Sequence, residues 1–194
     1  MNKKEVARRQ LGTALALYLN DNDPVAVHCL ACGGGEIAEF LTRQAKQKPF
    51  IEHIIATFPE RKAREIRILR NQYWNAFKHA TDKEGNKRED LTLLAQFTDE
   101  QNDHALFIGW YDYMLAVGAL PIEAQAHQTW YFAKYPEKLN QGVDKDRYEK
   151  LFPNIGKLPR AEQKQRLCEA IKCARQDDAV MHHIGTDPRP LILR

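Results

Sequence analysis

Asn75, Lys78 and His79 close a stretch of helical pattern, and Arg70, Asn71 and Trp74 stand one to two turns before them. Across residues 66–80 the apolar side chains Ile66, Leu69, Tyr73, Phe77 and Ala80 recur at three- and four-residue steps. That spacing predicts an amphipathic helix with one apolar stripe. Asn71, Asn75 and His79 fall four apart and form a polar stripe, and Arg70, Trp74 and Lys78 form a third row. A histidine with an unperturbed pKa near ~6.5 suits proton transfer at neutral pH. A neighbouring cation suits charge-assisted hydrogen bonds to a phosphate oxygen. In metal-independent RNA cleavage the 2′-hydroxyl is the nucleophile. His79 then serves as acid or base and Lys78 or Arg70 stabilises the phosphorane. Asn75 orients the imidazole or binds a phosphate oxygen, and Trp74 or Tyr73 offers a face on which a base stacks. The same residues also fit a purely structural role, because cations favour a helix C-terminus through its dipole.

Other groups with chemical potential are explained more simply. Residues 99–104 bring Asp99, Asp103 and His104 to a helix start, where capping and the dipole account for the acids. A metal ligand set, or pairing with Lys78 and His79, is the alternative. The Glu-x-x-His pairs of a di-iron bundle are absent. Glu123 and His127 share a helix face, and His182-His183 sits at a helix end. The run Trp110-Tyr111-Asp112-Tyr113 reads as core plus interface, with Asp112 satisfying a hydroxyl. Cys29/Cys32 and Cys168/Cys173 could supply a four-thiolate zinc site. The spacing of the second pair is poor for a knuckle and both pairs fall in predicted helix. Small residues on helix faces are therefore the favoured reading, and no metal or cofactor is assigned.

Length and charge set the frame. A chain of 194 residues suits a single helical domain, residues 1–194. The net charge of +3, with 29 basic residues against 26 acidic ones, permits an anionic partner without demanding one. No run of about 18 apolar residues is visible, so no membrane span is expected. The charged start is not followed by a signal-peptide pattern. A cytoplasmic protein is the expectation.

Helical periodicity dominates and nothing reads as strand. A first helix is predicted over residues 4–19, with Val6, Leu11, Ala14, Leu15 and Tyr18 on its core face. Asp23 and Pro24 form an N-cap and first turn for a second helix, to about residue 44. Gly33, Gly34 and Gly35 inside it point to close helix–helix contact or a kink rather than a phosphate loop. A short helix follows over 49–58, and the helix carrying His79 opens at Pro59. Residues 81–90 form a charged loop and residues 91–97 a short apolar segment. Further helices are predicted from Thr98 or Asp99 to residue 119, from Pro121 to residue 135, and over residues 160–183. Residues 136–159 make an irregular connection with a turn of helix near 144–151. The tail, residues 185–194, ends in Leu191-Ile192-Leu193, which docks on the body or on a second subunit.

Two segments together resemble the HEPN superfamily (higher eukaryotes and prokaryotes nucleotide-binding). They are His28-Cys29-Leu30-Ala31-Cys32-Gly33-Gly34-Gly35-Glu36-Ile37 on the second helix and Asn75-Ala76-Phe77-Lys78-His79 about forty residues later. The resemblance is to small bacterial members with an Asn-x-x-Lys-His ending, and it covers roughly residues 4–118. It implies an up-and-down helical bundle over residues 1–119, with residues 120–194 as additional helices and tail. It further implies action on RNA or nucleotides, as a metal-independent ribonuclease of a toxin–antitoxin or phage-defence system. Expected partners are a second copy in a homodimer and an antitoxin or defence protein. The resemblance puts the family's histidine on His79, its polar residue on Asn75 and its arginine on Trp74. With that arginine missing, the alternative is a catalytically inactive module that binds a nucleotide, RNA or a protein partner.

Overall fold

The structure, a computed structural model, describes residues 1–139 and 142–193. Asn140 and Gln141 in the irregular connection, and Arg194 at the tail's end, lie outside the described residues. Among the described residues the protein is all-α but for one short strand pair and an isolated bridge. Its helices are α1 (Lys3–Leu19), α2 (Pro24–Gln44), α3 (Phe50–Thr57), α4 (Ala63–Lys78) and α5 (Leu91–Leu94). They continue with α6 (Glu100–Val117), α7 (Ile122–Lys134), α8 (Asp146–Leu151), α9 (Arg160–Arg175) and α10 (Asp178–Met181).

Local sequence explains the first two helices. The Asn2 side chain accepts the Glu5 N–H, and Asp23 accepts from Val25 and Ala26, with Pro24 in the first turn. α2 then packs between α1 and α6. The helix runs on through its glycines rather than ending at them. They let neighbours approach instead. A Cβ on Gly34 would stand 2.8 Å from Leu11 Cγ, and one on Gly35 would stand 3.4 Å from the Gly109 Cα on α6. By length and composition α2 is apolar enough to cross a membrane, although charged residues interrupt its apolar run. Here it is the central helix, with Val27, Ala31 and Ala38 fully buried.

One buried cluster runs from Ala7 on α1 through Trp110 on α6, Trp130 on α7 and Leu167 on α9 to Leu191 in the tail. The C-terminal third is thus packed into the same core as the N-terminal helices. Three expectations need correction here. The helix predicted over 160–183 breaks at Gln176, because Asp177 accepts the N–H groups of Ala179 and Val180 and starts α10 afresh. Strand is present: β1 (Leu120–Pro121) pairs in parallel with β2 (Thr186–Asp187). That pairing spans more than sixty residues, so no local alternation announces it. Finally, Val6 is only half-buried, whereas Arg8 beside it is fully buried. Arg8 donates to Leu191 O at 2.8 Å, Pro190 O at 3.1 Å and Asp187 Oδ2 at 3.1 Å, clasping the tail to α1. The tail therefore docks on the body through Leu191, while Ile192 stays exposed.

The acids at the start of α6 do not pair with Lys78 and His79. Asp103 is fully buried and accepts from Tyr18 Oη at 2.6 Å, Lys134 Nζ at 2.9 Å, Tyr135 Oη at 2.8 Å and Arg160 at 2.6 Å. Burial pushes its carboxyl up, but Arg160, Lys134 and the Tyr18 hydroxyl prevail and hold it below the usual carboxylate range. Asp99 pairs with Arg160 and Lys164. This network joins α1, α6, α7 and α9 and satisfies an acid that burial would otherwise penalise.

Candidate functional site

α3 and α4 stand outside the main buried cluster. α4 is held onto α2 by an aromatic box. The His28 ring meets Tyr73, Phe77 and Phe97 edge-on, at centroid distances of 6.2, 5.7 and 5.3 Å. His28 Nδ1 lies 2.9 Å from Asn102 Oδ1, which ties the box to α6. Burial lowers the His28 pKa, so the ring is neutral and packs as an aromatic. Ile66 and Tyr73 are buried as the apolar stripe predicts. Leu69 departs from it at 50 % exposure and Ala80 is exposed too, because α4 lies against only a few side chains of α2 and α3.

The polar rows of α4 part company. The Arg70 guanidinium donates to Glu39 Oε2 at 2.6 Å. Lys78 Nζ sits 3.4 Å above the Trp74 ring, a cation–π contact along the four-step row. His79 is the C-cap residue, its backbone N–H bonded to Asn75 O at 3.1 Å, and its side chain is exposed. Arg70, Asn71 and Trp74 line a large cleft beside α4, whereas Asn75, Lys78 and His79 stand beyond its lining.

That cleft measures about 1610 Å³ and is bounded by α2, α3, α4, α6, α7 and α8. Among the described residues its walls carry six cations, Arg43, Arg61, Arg67, Arg70, Lys138 and Arg147, against three carboxylates, Glu36, Glu39 and Glu137. Aromatic side chains alternate with them. Phe40 and Phe58, both lining it, are 54 % and 45 % exposed. Tyr111 of α6 is met by Phe50 at 5.1 Å and His53 at 6.0 Å, both on α3. His104 lines the cleft with Nδ1 2.8 Å from Tyr131 Oη, and burial lowers its pKa.

One buried acid fixes the α3 wall. Asp112 Oδ1 accepts the Phe50 N–H at the start of α3 at 2.7 Å, and its own carbonyl accepts the Thr42 hydroxyl at 2.6 Å. It satisfies a backbone amide, not the hydroxyl expected from its aromatic neighbours. Burial pushes its pKa up to about 6.

Glu123 pairs with Arg175, and His127 is fully buried beside Tyr18. His182 Nδ1 approaches Asp178 O at 2.8 Å, and the Gly185 N–H donates to His183. Cys29 and Cys32 lie on α2, Cys168 and Cys173 on α9, and the Cys168 thiol points at Leu19 O. Burial pushes the Cys32 thiol up to about 12. Among the described residues no group of three or more His, Cys, Asp or Glu side chains is placed to hold a metal ion. Glu39, Phe40 and Phe58 line the cleft and escaped sequence reasoning, whereas His104, read there as a possible metal ligand, and His28, quoted there only within the resemblance, line it too. His28 and Glu39 sit on the long second helix, inside or beside the segment that carries the resemblance, and that was the only signal for them.

No family model, no curated protein and no solved structure matches the chain. The residues of the cleft and of α4 carry the functional argument.

Proposed function

We propose that this chain is a HEPN-like helical module that binds single-stranded RNA in the cleft between α4 and the body. The observation that carries the reading is that two exposed phenylalanines, Phe40 and Phe58, line a cleft whose described walls hold six cations and three carboxylates. Single strands are held by two physical means, cations along the backbone and aromatic faces under the bases. A stacked base contributes about 1–3 kcal/mol and tolerates any sequence, since every base has a π-face. At about 1610 Å³ the cleft exceeds the usual range of small-molecule pockets, about 300–1,000 Å³, which favours a strand over a single nucleotide. Trp74 at the position of the family's arginine, with Arg70 engaged by Glu39, favours binding without turnover.

The test is a fluorescence-anisotropy titration of a labelled single-stranded oligoribonucleotide, wild type beside Phe58→Ala. The reading expects saturable, salt-sensitive binding that Phe58→Ala weakens roughly tenfold or more, with an unchanged melting curve because the ring is half-exposed. Equal affinity for both proteins, or no binding, refutes it.

A second reading is kept by one observation: the His79 imidazole is exposed and has no hydrogen-bond partner among the described residues, with Lys78 and Asn75 beside it. Such a ring is open to an incoming substrate. Cleavage of RNA in EDTA that disappears in His79→Ala, with melting unchanged, would establish a metal-independent nuclease. Absence of cleavage from wild type removes that reading and leaves the binding one.

A further inference from the structure

Three guanidinium groups converge on one carboxylate inside the cleft. Glu39 Oε2 accepts from Arg70 at 2.6 Å, while Oε1 accepts from Arg67 at 3.2 Å and from Arg43 at 3.3 Å. Arg43 also donates to Glu52 at 2.5 Å. The cluster of three cations and two anions keeps an excess of positive charge. Arg67 and Arg70 each commit one hydrogen to Glu39, although a guanidinium offers five donors in a planar fork. The Glu39 and Arg70 side chains are only 15 % and 17 % accessible, so their attraction is less screened than at an open surface. Arg67, at 46 %, faces the solvent from which a ligand arrives.

We propose that Arg43, Arg67 and Arg70 form a phosphate-recognition site within the cleft, and that Glu39 is its exchangeable counter-ion. The inference rests on the RNA-binding reading above. A phosphodiester presents two non-bridging oxygens and one negative charge, which is what the Glu39 carboxylate presents now. Guanidinium forks match either group bidentately. A backbone phosphate entering the cleft takes over the three arginines one charge for one charge, and the Glu39 side chain swings out. Until then Glu39 stays ionised: burial pushes its carboxyl up, but the hydrogen bonds from Arg70, Arg67 and Arg43 outweigh that and hold it below the usual range. Glu39 thereby competes with the ligand. It keeps three cations aligned in a partly buried wall and sets a threshold that a weakly bound anion does not pass.

The consequence runs against the ordinary expectation for a binding-site residue: removing the charge of Glu39 strengthens binding. The experiment titrates a fluorescein-labelled single-stranded oligoribonucleotide by anisotropy, at several salt concentrations, with wild type, Glu39→Gln, Arg67→Gln and Phe58→Ala. Glu39→Gln is expected to bind about tenfold tighter, with a steeper salt dependence, the slope rising by about 0.7 for each additional phosphate that the freed arginines neutralise. Arg67→Gln is expected to bind more weakly with a slope shallower by a similar amount. If wild type binds and Phe58→Ala weakens binding, the RNA reading stands. Glu39→Gln binding no better than wild type, with a wild-type melting curve, then overturns the counter-ion proposal alone. If Glu39→Gln melts early, Arg67→Gln decides, and wild-type affinity and slope in that variant overturn the site. No binding by either wild type or Glu39→Gln overturns both readings together.

Discussion

Asp112 offers a test of how the cleft wall is held, because one buried carboxyl accepts the first amide of α3. Its pKa is raised from an ordinary 3.8 to about 6, chiefly by burial, with the Phe50 N–H, Arg70 and Arg43 opposing and Glu39 adding to the rise. A carboxyl whose pKa is raised on folding binds its proton more tightly in the folded state. Its contribution to stability is full below 3.8 and is lost as pH climbs through about 6. The change amounts to ~3 kcal/mol. Asp112→Asn removes the titration but keeps an oxygen for the Phe50 N–H. The second carboxyl oxygen has no partner among the described residues, so the amide nitrogen displaces no hydrogen bond. The stability of the variant relative to wild type is therefore expected to rise by ~3 kcal/mol between pH ~3 and pH ~8. Urea denaturation of both proteins across that range measures it, and taking the difference cancels every other titrating group. A difference that stays constant within about 0.5 kcal/mol would show that Asp112 is ionised without penalty, and the argument from its burial would fail.

Three further outcomes follow from the packing. Burial depresses the His127 pKa from 6.5 to about 4, so its contribution is full above 6.5 and is lost as pH falls towards 4; His127→Phe should flatten a loss of ~3 kcal/mol in that window, read by urea denaturation. Arg160→Met leaves Asp103 buried with Lys134 as its one cationic partner among the described residues and should cost about 3 kcal/mol, seen as a drop in melting temperature of roughly 6–12 °C; a drop under ~2 °C would contradict the network. Gly109→Ala puts a Cβ 2.6 Å from the fully buried Leu11 side chain and 3.5 Å from Gly35 Cα, and should destabilise by about 1–3 kcal/mol in the same assay.

What could be read from the sequence was local. The Asp23-Pro24 start of α2, the burial of Ile66 and Tyr73, and the meeting of Trp74 with Lys78 all depend on neighbours within one or two turns. The close approach at Gly34 and Gly35 was legible as helix–helix packing, though the sequence did not name Leu11 and Gly109 as the partners. What escaped depends on partners far apart in the chain. Arg70 finds Glu39 at a separation of 31 residues, Arg160 finds Asp103 at 57, and Arg8 finds Leu191 at 183. Periodicity tells which face of a helix is apolar, but not which buried charge meets which. That is why the start of α6 read as a capping cluster, with a metal or the Lys78-His79 pair as alternative partners, and why Arg8 went unremarked in a core stripe. The break before α10 is different. Asp177 is a local capping signal, and the helical pattern on either side of it masked the boundary.

The claim that the cleft is an RNA-binding surface is tested most directly by photo-crosslinking a 4-thiouridine-substituted single strand and mapping the adducts by mass spectrometry. Adducts are expected on Phe40 and Phe58, the exposed aromatic residues lining the cleft, and on Trp74 at its edge. Adducts confined to the outer basic face of α9, around Arg166 and Lys172, with none on α2, α3 or α4, would contradict it.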